Sequence, residues 1–353
     1  MKITRQELKT EADLFVLKDV WSRLEQGEEM TSFQTYEWHR LLLKEWTGWK
    51  LHAIYSRCFV YVAWDGDAAV MLLPIIEYKF STRTKWFGSK KGIYLLGHGS
   101  YSDYLNAVFV TFREDAFSSI LDALRKDFPG KRLCLTSVRE DSSLAAYLLA
   151  KGAACEEFTV AVSLKMKESP EAYQASLSKK TRANLRKAVN RINRDGIDYE
   201  IEVLGRIEDQ ALLDEMVKIH VKRILVKNTK HDGILHMLSA EIRKAYRKYR
   251  DLHNNIIAMS MAENENSRIV LIKMNGQLAG YEYCLREAQC YRLVQTCFDE
   301  KYKFYSPMFK GIFDFIMQCH EDRSLREIDF TRGDEEYKRS LGGEETRLYQ
   351  FTL

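Results

Sequence analysis

The 353-residue sequence predicts an α/β protein with mixed sheets, built as two tandem units of one design. Three observations carry that expectation. The chain exceeds the roughly 250–300 residues at which a single hydrophobic core stops growing. Two strand-like pairs, 51–64 with 68–78 and 268–274 with 277–286, each close on a dipeptide suited to a tight hairpin, Asp65-Gly66 and Asn275-Gly276. Around both hairpins one order of elements recurs, with helices before and strand, helix and strand after.

Taken in order, apolar residues at helical spacing place the first two helices. Leu14, Phe15, Val20, Trp21 and Leu24 mark one over 12–25. Tyr36, Trp38, Leu41, Leu42 and Trp46 mark another over 34–48, after Thr31-Ser32 as caps. The first hairpin follows, then a polar loop over 81–92 and a strand at 93–96 leading into Gly97-His98-Gly99-Ser100-Tyr101-Ser102-Asp103-Tyr104. Strand 105–110, helix 114–127, strand 132–138, helix 142–151 and strand 155–164 complete the first half. In the second, helices at 171–194, 208–227 and 235–250 precede strands 255–262 and 268–274. The second hairpin, strand 290–298, helix 307–320, strand 327–330 and a last strand over 346–353 then follow. Lys165–Pro170 breaks the periodicity, which sets the expected domains at 1–166 and 167–353, with the last strand able to pair in either. The halves share element order and no residue-level identity.

Composition narrows the function. Lys and Arg number 54 against 50 Asp and Glu, a net charge of +4, so a polyanion partner would need a local basic footprint. Seven cysteines, an odd number with no Cys-x-x-Cys, fit buried thiols in a reducing cytoplasm. The stretch from Met1 to Glu7 lacks the apolar core of a signal peptide, and no run of about 18 apolar residues occurs. No histidine–cysteine cluster has metal-ligand spacing, so no metal is expected.

Three segments concentrate chemistry. Near the C-terminus the strand Glu327–Phe330 runs into Thr331-Arg332-Gly333-Asp334-Glu335-Glu336-Tyr337-Lys338, and six of the eight residues 332–339 are charged. Phe304-Tyr305-Ser306-Pro307-Met308-Phe309-Lys310-Gly311 has the build of a helix start that holds an anion. Ser306 caps it, Pro307 takes the first position, and Lys301, Lys303 and Lys310 surround it. Residues 179–194 carry seven Lys or Arg and no acid over a narrow stripe of Leu185, Ala188, Val189 and Ile192. That is a basic helix face, solvated or bound to a phosphate-rich partner.

The sequence Asp329-Phe330-Thr331-Arg332-Gly333-Asp334-Glu335-Glu336-Tyr337-Lys338 resembles the C-terminal signature of the CelD-like branch of the GNAT N-acyltransferases. Ser32–Trp38 resembles the N-terminal "pF-Q-x-x-x-W" stretch of that branch, and Gly99–Tyr104 its "Ser-Asp-Tyr" loop. Tyr302–Lys310 is similar to part of its C-terminal core. The likeness covers most of the chain and extends to the related Fem-type aminoacyl transferases.

What the resemblance implies is two tandem GNAT-like domains and a cytoplasmic acyltransferase. Its donor would be acetyl-coenzyme A or another acyl-coenzyme A, and its acceptor an amine, on an amino sugar or a cell-envelope or polysaccharide precursor. Lys303, Tyr305, Ser306, Met308, Phe309 and Lys310 would hold the donor, although Met308 stands where relatives usually have glycine. Tyr337 would be the general acid or orienting hydroxyl and Lys338 a fixed cation. Asp334 or Asp329 would be the base, or else would bridge to Arg332 or Lys338. Tyr101, Asp103, Tyr104 and Arg332 would contact the acceptor. The rival readings are a Fem-type transferase using aminoacyl-tRNA and a non-catalytic envelope-assembly scaffold with a degenerate site.

Overall fold

The computed structural model describes residues 1–48, 56–79, 91–99, 102–231 and 255–353, the side chains of 224–231 excepted. Tyr101, the loop over 81–90 and the helix expected over 235–250 lie outside the described residues. The chain is α/β and divides into two compact units, Met1–Ala161 with Thr346–Leu353, and Val162–Glu345.

In the first unit the strands run β1 (Lys2–Leu8), β2 (Ser56–Asp65), β3 (Ala68–Tyr78), β4 (Gly92–Leu95), β5 (Leu133–Arg139) and, last in the row, β12 (Glu344–Thr352). The first four are antiparallel neighbours, β4 and β5 are parallel, and β12 returns antiparallel to β5. Helices α1 (Glu11–Phe15), α2 (Lys18–Leu24) and α3 (Tyr36–Gly48) precede the hairpin, and α4 (Glu114–Asp127) and α5 (Ser143–Ala150) flank β5. Core residues such as Phe59, Ile75, Leu95, Phe117, Ile120, Leu135 and Phe351 pack between sheet and helices.

The second unit repeats the pattern. After β6 (Ala154–Lys165), of which Val162–Lys165 belong to this unit, come α6 (Pro170–Ser176), α7 (Lys179–Arg194), β7 (Tyr199–Leu204), α8 (Gln210–His231) and α9 (Ile256–Glu263). Then follow β8 (Ser267–Met274), β9 (Gln277–Arg286), β10 (Cys290–Phe298), α10 (Pro307–Cys319), β11 (Glu327–Arg332) and α11 (Glu336–Ser340). The row is β7-β8-β9-β10-β11-β6, antiparallel from β7 to β10 and parallel between β10 and β11. Asn275 and Gly276 both take positive φ, 52° and 70°, the two-residue turn the sequence predicts there.

Four expectations change. The helix over 171–194 is two, because Ser178 turns extended and its hydroxyl accepts from Thr181 N at 3.0 Å, starting a new helix. The strand expected at 255–262 is α9, whose residues Ile256–Met261 are all buried. A helix buried all round shows no amphipathic period, so its apolar run imitates a strand. Leu105–Val110 contributes a single bridge, Leu72 to Val108, in place of a strand. Edge strands β1 and β7 were not expected, because both are short and half polar.

Candidate active site

The two N-terminal motifs meet inside the first unit. Trp38 Nε1 donates to Ser102 Oγ at 2.8 Å, Gln34 Nε2 donates to the Tyr104 carbonyl at 2.6 Å, and the Phe33 and Tyr104 rings meet edge to face at 6.1 Å. Tyr104 has φ 56° and is buried, as is Asp103. These contacts lock the loop onto the start of α3. Arg332, the other residue expected to touch the acceptor, belongs to the second unit, where its carbonyl accepts from Lys338 Nζ at 2.8 Å.

In the second unit α10 starts where β10 ends. A 3₁₀ turn, Glu300–Tyr305, leads to Ser306 at φ 54° and ψ 52°, and Pro307 takes the first helical position. Ser306 stands at the cap position but makes no side-chain cap bond; its left-handed backbone makes the turn instead. The first amides of the helix, Met308 and Phe309, have no intrahelical acceptor, and no acid stands in the first turn. An anion is favoured there.

The side chains around this start take different parts. Met308 is buried, and a Cβ on Gly280 would come within 2.7 Å of its sulfur, so methionine at this position packs onto β9. Phe309 is partly buried against the same core. Lys310 bonds Asp314 and lies 4.7 Å over the Tyr199 ring. Lys303 is exposed with Glu300 at 3.5 Å, and Tyr305 donates to Asp195 Oδ2 at 3.1 Å. The basic helix α7 reaches this turn: Arg191 donates to the Phe304 carbonyl at 2.7 Å and lies 4.5 Å over its ring. Its Leu185, Ala188 and Ile192 are buried while Lys179, Lys180, Arg186 and Lys187 are exposed.

The charged C-terminal cluster separates by face. Asp329 is buried in an ion pair with Arg292 and accepts from Thr331 N at 2.7 Å. Arg292 also holds Glu287 at 2.6 Å. Burial works against the Arg292 charge, but Glu287 and Asp329 keep it well above its ordinary value. Asp329 thus has Arg292 as a salt-bridge partner. Because Ile328 and Phe330 face the α10 core, alternation turns Asp329 to the opposite side of the sheet. Asp334 is exposed.

Tyr337 and Lys338 lie on the α10 side. Lys338 is buried, with Nζ bonding the carbonyls of Thr331, Arg332 and Gly333 at 3.4, 2.8 and 3.4 Å and Glu335 at 2.9 Å. Tyr337 OH lies 3.5 Å from Thr296 Oγ1, which in turn bonds Glu282 Oε2. Glu282 is 1 % exposed in the middle of β9, and its Oε1 has no hydrogen-bond partner among the described residues. Burial raises its carboxyl to about 8, against the opposing pull of the Thr296 bond and the Lys338 charge. Burial, and then the Glu282 charge, also push the Tyr337 hydroxyl well above its usual value.

Gly280 and Glu282 are two residues apart on one strand face, about 7 Å. Helix start and hydroxyl–carboxylate chain therefore occupy one face of β9 and β10. Arg223 closes the end of it, its guanidinium 3.8 Å over the Phe298 ring and 3.6 Å from Glu300.

Sequence reasoning passed over Glu282, Thr296 and Arg223. A lone acid at the centre of the apolar strand Leu278–Leu285 was the available signal, because a carboxylate is expensive to bury without a task. Among the described residues no group of three or more histidine, cysteine or acidic side chains is arranged to hold a metal ion, and no helix is long and apolar enough to cross a membrane.

Comparison with known proteins bears on the fold. Three solved structures share the fold over nearly the whole chain at low identity. One is a conserved protein of unknown function from Bacteroides thetaiotaomicron (12 % identity, TM-score 0.52, all of both chains covered). The second is L-PGS from Bacillus licheniformis (11 %, 0.52, 98 % of this chain and 92 % of that one). The third is the C-terminal domain of a putative lysylphosphatidylglycerol synthetase from Agrobacterium fabrum (10 %, 0.51, 97 % and 92 %). No curated protein matches significantly. The family model described as "Acetyltransferase (GNAT) domain" matches residues 179–339, from the first residue of α7 to α11. The match lies within the second unit, which is thus similar to the GNAT acetyltransferase domain.

Proposed function

We propose that this protein is an N-acyltransferase that moves an acyl group from acyl-coenzyme A to an amine, on an amino sugar or a cell-envelope precursor. The observation that supports it most is the Glu282–Thr296–Tyr337 chain beside the start of α10. The donor supplies the acyl group as an activated thioester. The residues present fit its anionic pyrophosphate: the Met308 and Phe309 amides, an acid-free first turn, and exposed Lys301 and Lys303.

An amine reaches the site as an ammonium ion, and its nitrogen attacks the thioester carbonyl carbon only after losing a proton. Tyr337 takes that proton at its oxygen while passing its own to Thr296. Thr296 passes its hydroxyl proton to Glu282, which becomes a neutral carboxylic acid. When the carbon–sulfur bond breaks, the proton returns along the same route to the leaving sulfur. Lys338 holds the Arg332–Gly333 turn and supplies positive charge beside the chain throughout.

Because the Glu282 carboxyl sits near 8, kcat/KM should rise with pH and level off above about that value. Tyr337→Phe should lower turnover about 10²–10⁴-fold with the fold intact, and Glu282→Gln should remove the pH-dependent rise. Wild-type rates in both variants would take this chain out of the mechanism.

The exposed basic face of α7 favours a second reading, an aminoacyl-tRNA donor. Titration calorimetry with acetyl-coenzyme A separates the two. Heat at micromolar to millimolar ligand supports the first, whereas none, with salt-dependent tRNA binding, supports the second.

A further inference from the structure

Arg223 stands where α8 would be expected to carry an apolar side chain. Leu213, Met216 and Ile219 form the buried stripe of that helix, which packs on β9 and β10, and Arg223, four residues further on, continues it. Its side chain is 20 % exposed, and its guanidinium lies 3.8 Å over the Phe298 ring. Glu300 Oε1, 3.6 Å from Nη1, offsets part of the charge but lies beyond hydrogen-bond reach, and that carboxylate is shared with Lys303 at 3.5 Å. Nη1 is therefore a buried donor with no hydrogen-bond partner among the described residues. A charged donor left unbonded is costly, and arginine cannot shed its proton to escape that cost. An aliphatic side chain would fill the same place without it, so the position points to a task.

Register sets this donor beside the proton-transfer chain. On β10, Thr296 stands opposite Glu282 and Phe298 opposite Gly280, so Thr296 and Phe298 share one face about 7 Å apart. Tyr337 OH lies 3.5 Å from Thr296 Oγ1, and Arg223 lies over Phe298. Burial and the Glu282 charge push the Tyr337 hydroxyl up, and the Arg223 charge is among the influences that pull it back. One small molecule can span the two positions, with an amine at the hydroxyl and an anionic group at the guanidinium. The planar fork of arginine suits a carboxylate in particular.

We propose that Arg223 selects an acceptor that carries a carboxylate near its amine, as an amino acid or an acidic amino sugar does, Nη1 donating to that carboxylate while the amine sits at Tyr337. The inference rests on the N-acyltransferase reading and narrows its acceptor. Because the carboxylate takes no part in the bonds that form and break, its contact is the same before and during transfer, and Arg223 acts on KM rather than on kcat.

The test uses matched probes that differ by the acidic group: lysine with cadaverine, ornithine with putrescine, phenylalanine with phenethylamine, and muramic acid with glucosamine. Each is titrated calorimetrically into the full-length protein, and each is offered with acetyl-coenzyme A while free thiol is measured. At least one acidic probe should bind about tenfold or more tightly than its partner. Arg223→Gln should raise the KM of that probe about tenfold or more and leave kcat, the KM for acetyl-coenzyme A and the non-acidic partner within about twofold. Arg223→Lys, which keeps the charge and loses the fork, should fall between. Equal affinity within every pair, or no binding by any probe, would overturn the inference. So would a loss of rate shared by acidic and non-acidic amines, or a rise confined to the KM for acetyl-coenzyme A, since either assigns Arg223 to the thioester or the donor. Carboxylate-dependent binding without thiol release would uphold the inference and remove the proposed transfer, whereas thiol release with no carboxylate preference would do the reverse. The paired titrations need no substitution, so a folding defect in a variant leaves the result decisive.

Discussion

The two units share one strand plan and differ at the helix that follows the fourth strand of each row. In the first unit that helix, α4, begins with Arg113, Glu114 and Asp115, so its positive end is already met by two carboxylates of its own. In the second, α10 begins Ser306-Pro307-Met308-Phe309 with no acid in the first turn. The same dipole is neutralised internally in one unit and left available in the other. One architecture thus provides an anion-holding helix start only where the sequence leaves out two acidic residues. The other side of the sheet reverses the contrast: the second unit closes it with Arg292–Asp329, and the first leaves a cavity.

Breaking the closed side should have the largest effect on stability. Arg292→Met leaves Asp329 buried without its cation, and urea unfolding should report a loss of about 3–5 kcal/mol. Equal stability would mean that the pair is not what closes that face.

Glu282 gives the next effect, and its sign depends on pH. A carboxyl raised in the folded state favours folding while protonated; that contribution is complete below the unfolded value near 4.5 and declines as pH rises to about 8. Glu282→Gln should therefore be more stable than the wild type at pH 9, by up to a few kcal/mol, with little difference at pH 4. His39 in the first unit runs the opposite way. Burial lowers it to about 4, so its contribution is present above the ordinary value of 6.5 and is lost as pH falls through 4. Acid melts of the wild type and of Glu282→Gln should accordingly coincide.

The smallest change sharpens the comparison most. Ser306→Asp would give α10 the acidic start that α4 has, at a left-handed position that Asp tolerates better than most residues. Stability should rise by about 0.3–1 kcal/mol while affinity for acetyl-coenzyme A falls. Ser306→Gly, neutral at the same backbone, should keep binding. Equal affinity in the Asp and Gly variants would show that the helix start is not where the donor's charge rests.

The alternation of strands, both hairpins and the helix start at Pro307 were legible because local rules set them: turn dipeptides, apolar periods, proline at the first helical position. The break at Ser178 and the helical state of 256–263 were not, since a cap inside a helical run and a helix buried on all sides erase the local signal. The candidate site divides the same way. Tyr337 and Lys338 stand in a motif and could be read, and the structure places both on the α10 face. Which acid joins them could not, because strand alternation sends Asp329 to the far face while the bulge in β10 after Leu293 sets Thr296 opposite Glu282. That pairing joins residues from separate strands, and no spacing along the chain records it.

The strand β12 carries a consequence of a different kind. Its residues Leu348–Thr352 pair with Cys134–Arg139, and Phe351 lies in the core of the first unit. On the ribosome the first unit is therefore made nearly whole, yet waits with the edge of β5 uncovered until the entire second unit has been synthesised behind it. Its folding is tied to completion of the second unit by order of synthesis, and a chain cut before residue 344 would leave the first unit an open edge rather than an independent domain.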